Sequence, residues 1–229
     1  MGSTQALGLH QKPTGMTIEN KTMTTTEKLD LFKEHKSEYV KPKKPTLVET
    51  GPALYIAVRG RGAPGDDDFQ TKIAALYGVA YTLKFSSKLA GTDYKVCTLE
   101  ALWWGKRKGS DVTGVPKEQW NWQLMIRVPT FTKEKDLAAA IRTLIEKGKD
   151  AEVENVKLET LDEGRCVQML HVGPYDAVAK PIAAMRTHAA DQGLQFHGDH
   201  HEIYLSDPRR VAPERLKTIL RRPVKPAGG

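Results

Sequence analysis

Apolar and polar positions alternate along this chain with two different periods, and the periods change at glycines and prolines. Leu54-Tyr-Ile-Ala-Val58 is a short apolar run of strand type, followed by a loop marked by Gly60, Gly62 and Gly65. After Asp66–Asp68, which suits a helix N-cap, Phe69, Ile73, Leu76, Ala80 and Leu83 recur at spacings of three and four. That spacing predicts a helix near 67–89, ended by Gly91. Tyr94–Trp104 and Trp120–Val128 read as strands joined by a basic, glycine-containing loop over 105–117. Thr132 is placed to cap a second helix near 132–147, with Leu137, Ile141, Leu144 and Ile145 as its stripe and Gly148 as its stop. Val153–Val172 supplies two strands broken at Asp162-Glu-Gly164. Pro181 fits the first turn of a third helix near 180–192, with Ile182, Met185 and Ala189 inward. Glu202–Leu205 is a strand, and another begins at Leu216–Leu220.

The order strand, glycine loop, helix, strand, strand occurs over 47–129 and again over about 156–224. Ala57-Val-Arg-Gly60 matches Leu170-His-Val-Gly173, and Thr98-Leu-Glu100 matches His200-His-Glu202. The expected fold class is therefore α+β: a pseudo-twofold pair of strand–helix–strand–strand units with a ligand cleft between them. The domain spans 46–226, with repeats at about 46–130 and 152–224. A short helix over Glu27–His35 and an extended Lys41-Pro-Lys-Lys-Pro45 linker precede it. Residues 1–26 have few large apolar groups and read as a disordered leader.

Composition narrows the function classes. The chain has 229 residues, 39% hydrophobic and 28% charged, as expected of a globular protein. No apolar run is long enough for a membrane span, and the N-terminus has no secretory apolar segment. The net charge of +7 is dispersed and lacks interleaved exposed aromatics, so it reads as solvated surface rather than a nucleic-acid site. Cys97 and Cys166 lie in apolar runs and read as buried, reduced thiols of a cytoplasmic protein. The assembly expected is a monomer or a homodimer, with neither nucleic acid nor membrane as partner.

Few positions carry candidate chemistry. In Glu202-Ile-Tyr204 a strand puts Glu202 and Tyr204 on one face. Glu202 is then either salt-bridged to a surface cation or a cleft carboxylate that binds cations or moves protons. Glu100 poses the same alternative, and the two glutamates from the two repeats would approach across the pseudo-axis. Trp103 and Trp104 point to opposite sides, one to the core and one to the cleft, while Trp120 and Trp122 share a face. Such rings either fill the core or stack on a flat ligand. Tyr175, in the loop before the third helix, is either a hydrogen-bonded loop residue or a donor into the cleft. His197, Asp199 and His201 alternate like a metal set, but Gly198 interrupts the strand, so no metal or other cofactor is expected. The Gly60–Gly65 loop lacks the lysine and Ser/Thr of a phosphate-binding loop, and no nucleophile motif is present.

Tyr94–Trp104 (YKVCTLEALWW), His171–Tyr175 (HVGPY), His200–Arg210 (HHEIYLSDPRR) and Leu216–Val224 (LKTILRRPV) together resemble the stand-alone members of the GyrI-like family. These are related to the ligand-binding halves of multidrug-sensing regulators. The resemblance covers roughly 27–224 and implies a pseudo-symmetric fold that binds planar, apolar and often cationic compounds. Some stand-alone members are implicated as hydrolases of cyclopropane-bearing, DNA-alkylating natural products. The resemblance thus implies either such a hydrolase in a detoxification role or a non-catalytic module that sequesters a drug or metabolite. For the first, Glu202, Tyr204 and Glu100 are the expected catalytic residues, with Trp103, Trp104, Tyr175 and Trp122 holding the ligand. The segment ahead of the domain is too short and polar for the DNA-binding helices that regulators carry there.

Overall fold

The computed structural model describes residues 1–2, 28–149 and 151–228. From residue 3 on, the expected leader lies outside the described residues. Among the described residues nine strands form in chain order: β1 (Thr46–Glu49), β2 (Ala53–Arg61), β3 (Glu100–Trp104), β4 (Asn121–Arg127), β5 (Lys157–Leu161), β6 (Arg165–Val172), β7 (Leu194–Phe196), β8 (His200–Tyr204) and β9 (Lys217–Pro226). Four α-helices accompany them in the same residues: α1 (Leu31–Glu34), α2 (Asp67–Leu89), α3 (Glu134–Glu146) and α4 (Ala179–Asp191). The long helices fall within two residues of their expected limits. The helix expected over Glu27–His35 is, within the described residues, the short α1. Asp66 caps α2, its carboxylate accepting the Phe69 N–H at 2.8 Å. Thr132 is not the cap of α3: Lys133 occupies that position, and the Asp136 carboxylate accepts its N–H at 2.9 Å.

The sheet is antiparallel throughout, in the order β1-β6-β9-β8-β3-β4-β2-β5, with β7 on the far end of β9. The order reads as a palindrome of the two repeats. β2-α2-β3-β4 matches β6-α4-β8-β9, and the two halves meet at β3 and β8. The outermost strands are exchanged: β1 pairs with β6 of the second half, and β5 with β2 of the first. This exchange ties the halves into one sheet. α2 packs its Leu76, Val79, Ala80 and Leu83 over β2 and β4, against Ile56, Val58, Leu124 and Ile126. α4 packs Met185 and Ala189 over β6 and β9, against Val167, Leu220 and Val224.

Register decides which face each residue takes. Ala101 stands opposite Glu202, and Leu102 opposite His201. Directly paired residues share a face, so Ala101, Trp103, His200, Glu202 and Tyr204 lie on the helix-bearing face. Glu100, Leu102, Trp104, His201 and Ile203 lie on the other. A twofold axis normal to the sheet keeps every residue on its own face. Glu100 and Glu202 are therefore not counterparts, and the match of Thr98–Glu100 with His200–Glu202 is one residue out of step. A slip of one residue exchanges the faces of an entire strand.

Residues 31–42 strap across the second face. Gln168 Nε2 donates to the Glu38 and Val40 carbonyls at 3.1 and 2.7 Å, and Leu170 N–H donates to the Pro42 carbonyl at 2.7 Å. Under the strap, Arg127 Nη1 donates to Glu38 Oε2 at 2.8 Å and to Tyr39 Oη at 3.1 Å. Burying so many charges is tolerable only because each finds partners.

Candidate functional site

The helix face of β3 and β8 lies between α2 and α4, and there Trp103, Glu202, Tyr204 and Tyr175 gather. Tyr204 Oη accepts the Trp103 indole N–H at 3.3 Å. Glu202 Oε1 is 3.1 Å from His200 Nε2, and both residues are buried. The Tyr175 ring meets Tyr204 edge-on at 5.4 Å and remains 37% exposed, which puts it at the rim. Phe69, from the first turn of α2, stacks on Trp103 at 5.7 Å, and Trp120 meets Trp103 edge-on at 5.8 Å. The result is a carboxylate and a phenol beside an aromatic wall.

The electrostatics follow from this crowding. Burial, the Glu202 charge and a hydrogen bond to that carboxylate raise the Tyr204 hydroxyl well above the usual tyrosine range. It therefore keeps its proton across the working pH range. Tyr175 shifts the same way, by burial and by the Glu202 carboxylate. Thr218 stands opposite Tyr204 in register, and its buried hydroxyl has no hydrogen-bond partner. The arrangement sets a phenol and a carboxylate beside a buried aromatic wall, close to the rim at Tyr175.

Three other expected site residues lie elsewhere. Glu100 is fully buried on the strap face, where it accepts from Tyr39 Oη at 3.1 Å, Tyr55 Oη at 3.2 Å and His201 Nε2 at 2.9 Å. The sheet separates it from Glu202. Trp104 is also on that face, with Lys108 Nζ 5.5 Å from its ring centre. Trp122 is on the helix face opposite Trp103 but is fully buried, its ring lying over Gly60. It backs the wall through an edge contact with Phe69 at 5.0 Å. In the alternating set His197, Asp199, His201, Gly198 turns the backbone at φ +67°, and His201 is enclosed between Glu100 and Glu163. Among the described residues no group of three possible ligands is placed to hold a metal.

Sequence reasoning missed His200 and Phe69. Continuing the alternation of Glu202 and Tyr204 one step upstream reaches His200, so the signal was present. Phe69 gave none, because it looks like the first residue of a core stripe.

The family model of the GyrI-like small molecule binding domain matches residues 43–225. The chain belongs to this family. It is similar to an uncharacterized conserved protein from Listeria innocua, at 37% identity and a TM-score of 0.80, over 86% of this chain and 100% of that one. It is also similar to a hydrolase from Listeria innocua, at 35% identity and a TM-score of 0.77, over 86% of this chain and 100% of that one. The EcmrR C-terminal domain shares the fold at 13% identity and a TM-score of 0.51, over 80% of this chain and 98% of that one. None of the curated proteins matches the chain. Small-molecule binding is thus the family's function, and among the described residues no helix is long and apolar enough to cross a membrane.

Proposed function

We propose that this GyrI-like protein binds flat, largely apolar compounds over Trp103 and Tyr204 and hydrolyses those that carry an alkylating cyclopropane conjugated to a dienone. The observation that carries this reading is the juxtaposition of the buried Glu202 with the protonated Tyr204 hydroxyl, itself oriented by the Trp103 indole N–H. The description of a 35% identical relative as a hydrolase supports the reaction class.

The reaction adds one water. Glu202 removes a proton from water as the oxygen attacks the ring methylene. The cyclopropane C–C bond breaks, and its electron pair passes through the conjugated system to the carbonyl oxygen. Tyr204 gives that oxygen a proton, leaving a phenol, and recovers its own from Glu202. His200 holds the carboxylate at 3.1 Å, and the aromatic wall holds the ligand flat. Destroying the strained ring removes the alkylating group, which makes the role detoxification. The free, buried thiols of Cys97 and Cys166 suit a reducing cytoplasm.

Glu202→Gln keeps the shape and removes the base. General-base catalysis is typically worth about 10²–10⁴-fold, so turnover should fall by that factor, while a neutral flat ligand binds as before. Mass spectrometry follows the gain of one water, and indole fluorescence follows binding. If the native chain binds such compounds but never hydrates them, the protein is a sequestering module. If Glu202→Gln changes neither turnover nor binding, the site lies elsewhere.

A further inference from the structure

A cavity of about 340 Å³ opens on the strap face at the end of the sheet. It lies where the β3–β4 loop, the β5–β6 turn and the β7–β8 turn converge, with Leu102, Leu161 and Pro223 as apolar walls. Its volume is in the range of small-molecule sites. The intervening sheet separates it from Glu202.

Two carboxylates give this cavity its character. The Glu163 side chain is only 5% exposed. Its Oε2 accepts from His201 Nδ1 at 2.9 Å and from Arg221 Nη1 at 3.0 Å. Its Oε1 is buried with no hydrogen-bond partner. That oxygen is closed off from solvent, so Glu163 acts on the cavity through its charge rather than as an open acceptor. Asp199, with its side chain also 5% exposed, accepts the Gly109 N–H through Oδ1, while its Oδ2 is 3.8 Å from Lys108 Nζ, beyond a hydrogen bond. Lys108 is itself 59% exposed, and its ammonium also lies 5.5 Å from the Trp104 ring centre. Asp199 Oδ2 is thus left without a hydrogen-bond donor, and no metal-ligand set of three is assembled among the described residues.

We propose that this cavity is a second ligand site, for a small organic ammonium. The cationic head donates to Asp199 Oδ2 and lies near the Glu163 carboxylate, and a compact aliphatic body covers Leu102, Leu161 and Pro223. Charge-assisted hydrogen bonds favour the ammonium over a neutral donor of the same shape.

The test uses cyclohexylamine, which is aliphatic and not flat, with cyclohexanol as its neutral counterpart. Amide chemical-shift perturbation is recorded on the full chain. Cyclohexylamine should shift the amides of Leu102, Gly109 and Gly198 and bind at least about tenfold more tightly than cyclohexanol. Leu161→Trp, which fills the cavity from a half-buried position, should weaken the amine by about tenfold or more. Should that variant fail to fold, the map on the native chain decides. Shifts centred on Trp103 and Tyr204, equal affinity for amine and alcohol, or no shifts at the highest amine concentration the protein tolerates would each overturn the proposal.

Discussion

His201 is the titratable group whose charge the fold depends on most directly, and that dependence can be measured. Its ring has no solvent exposure, and both nitrogens face carboxylates: Nε2 to Glu100 at 2.9 Å and Nδ1 to Glu163 at 2.9 Å. Two acceptors require two N–H donors, so the ring is an imidazolium. Burial alone would depress its pKa, but the Glu163 and Glu100 carboxylates override this and raise it from 6.5 to about 9. Arg221, Tyr39 and Tyr55 complete the surroundings. A raised folded-state value means stabilisation that is full below pH 6.5 and is lost as pH rises through about 9. At ~1.4 kcal/mol per pH unit, raising the pH from about 6.5 to about 8.5 should cost on the order of 2–3 kcal/mol.

Urea denaturation at those two pH values tests it. The upper limit stays below 9, where thiols exposed by unfolding begin to titrate. His201→Gln has no proton to lose and should be less stable at the lower pH but flat across the window. A wild-type stability that does not change over the window, or a His201→Gln variant with the wild-type slope, would refute the imidazolium assignment. The acid side has the opposite sign. Burial would raise the Glu163 pKa, but His201 and Arg221 lower it from 4.5 to about 2, so its contribution holds above 4.5 and disappears as pH falls through about 2.

Gly60→Ala should destabilise by about 1–3 kcal/mol, because a Cβ there would lie 2.1 Å from the fully buried Trp122 ring; an unchanged thermal midpoint would count against this. Tyr204→Phe removes the proton donor and the acceptor of the Trp103 N–H, so hydration of a cyclopropane substrate should slow by about 10²–10³-fold, with a change in indole fluorescence. Wild-type kcat in that variant would remove Tyr204 from the mechanism. Both thiols should resist an aromatic disulfide reagent until the chain unfolds. Burial and then the Glu100 charge push Cys97 up to about 12, and burial with Glu163 also raises Cys166. Rapid labelling of either thiol in the native protein would contradict their placement.

The chemistry on the helix face was readable to the extent that it lies along one strand. Period-two alternation puts Glu202 and Tyr204 together wherever β8 sits, and the same rule separates Trp103 from Trp104. It does not say which face is which. Glu100 and Glu202 look alike in sequence, each near the middle of an apolar strand. One is held in a buried ion network under the strap, and the other stands between two helices. That difference is set by the β3–β8 register, a contact between residues about a hundred positions apart.

Local physics in the sequence therefore determined the elements and their order. Helix periodicity and glycine stops placed α2, α3 and α4, and the repeat of elements foretold the two-unit fold. Only the tertiary structure decided the exchange of β1 and β5 between halves, the cover that residues 31–42 lay over His201, Glu163 and Arg221, and the face each carboxylate occupies. Helix stripes and caps are interactions across three or four residues, so they are written in adjacent letters. Strand exchange and register are settled by which distant apolar faces pack together and by whether each buried charge finds its partner, and neither leaves a mark at any single position.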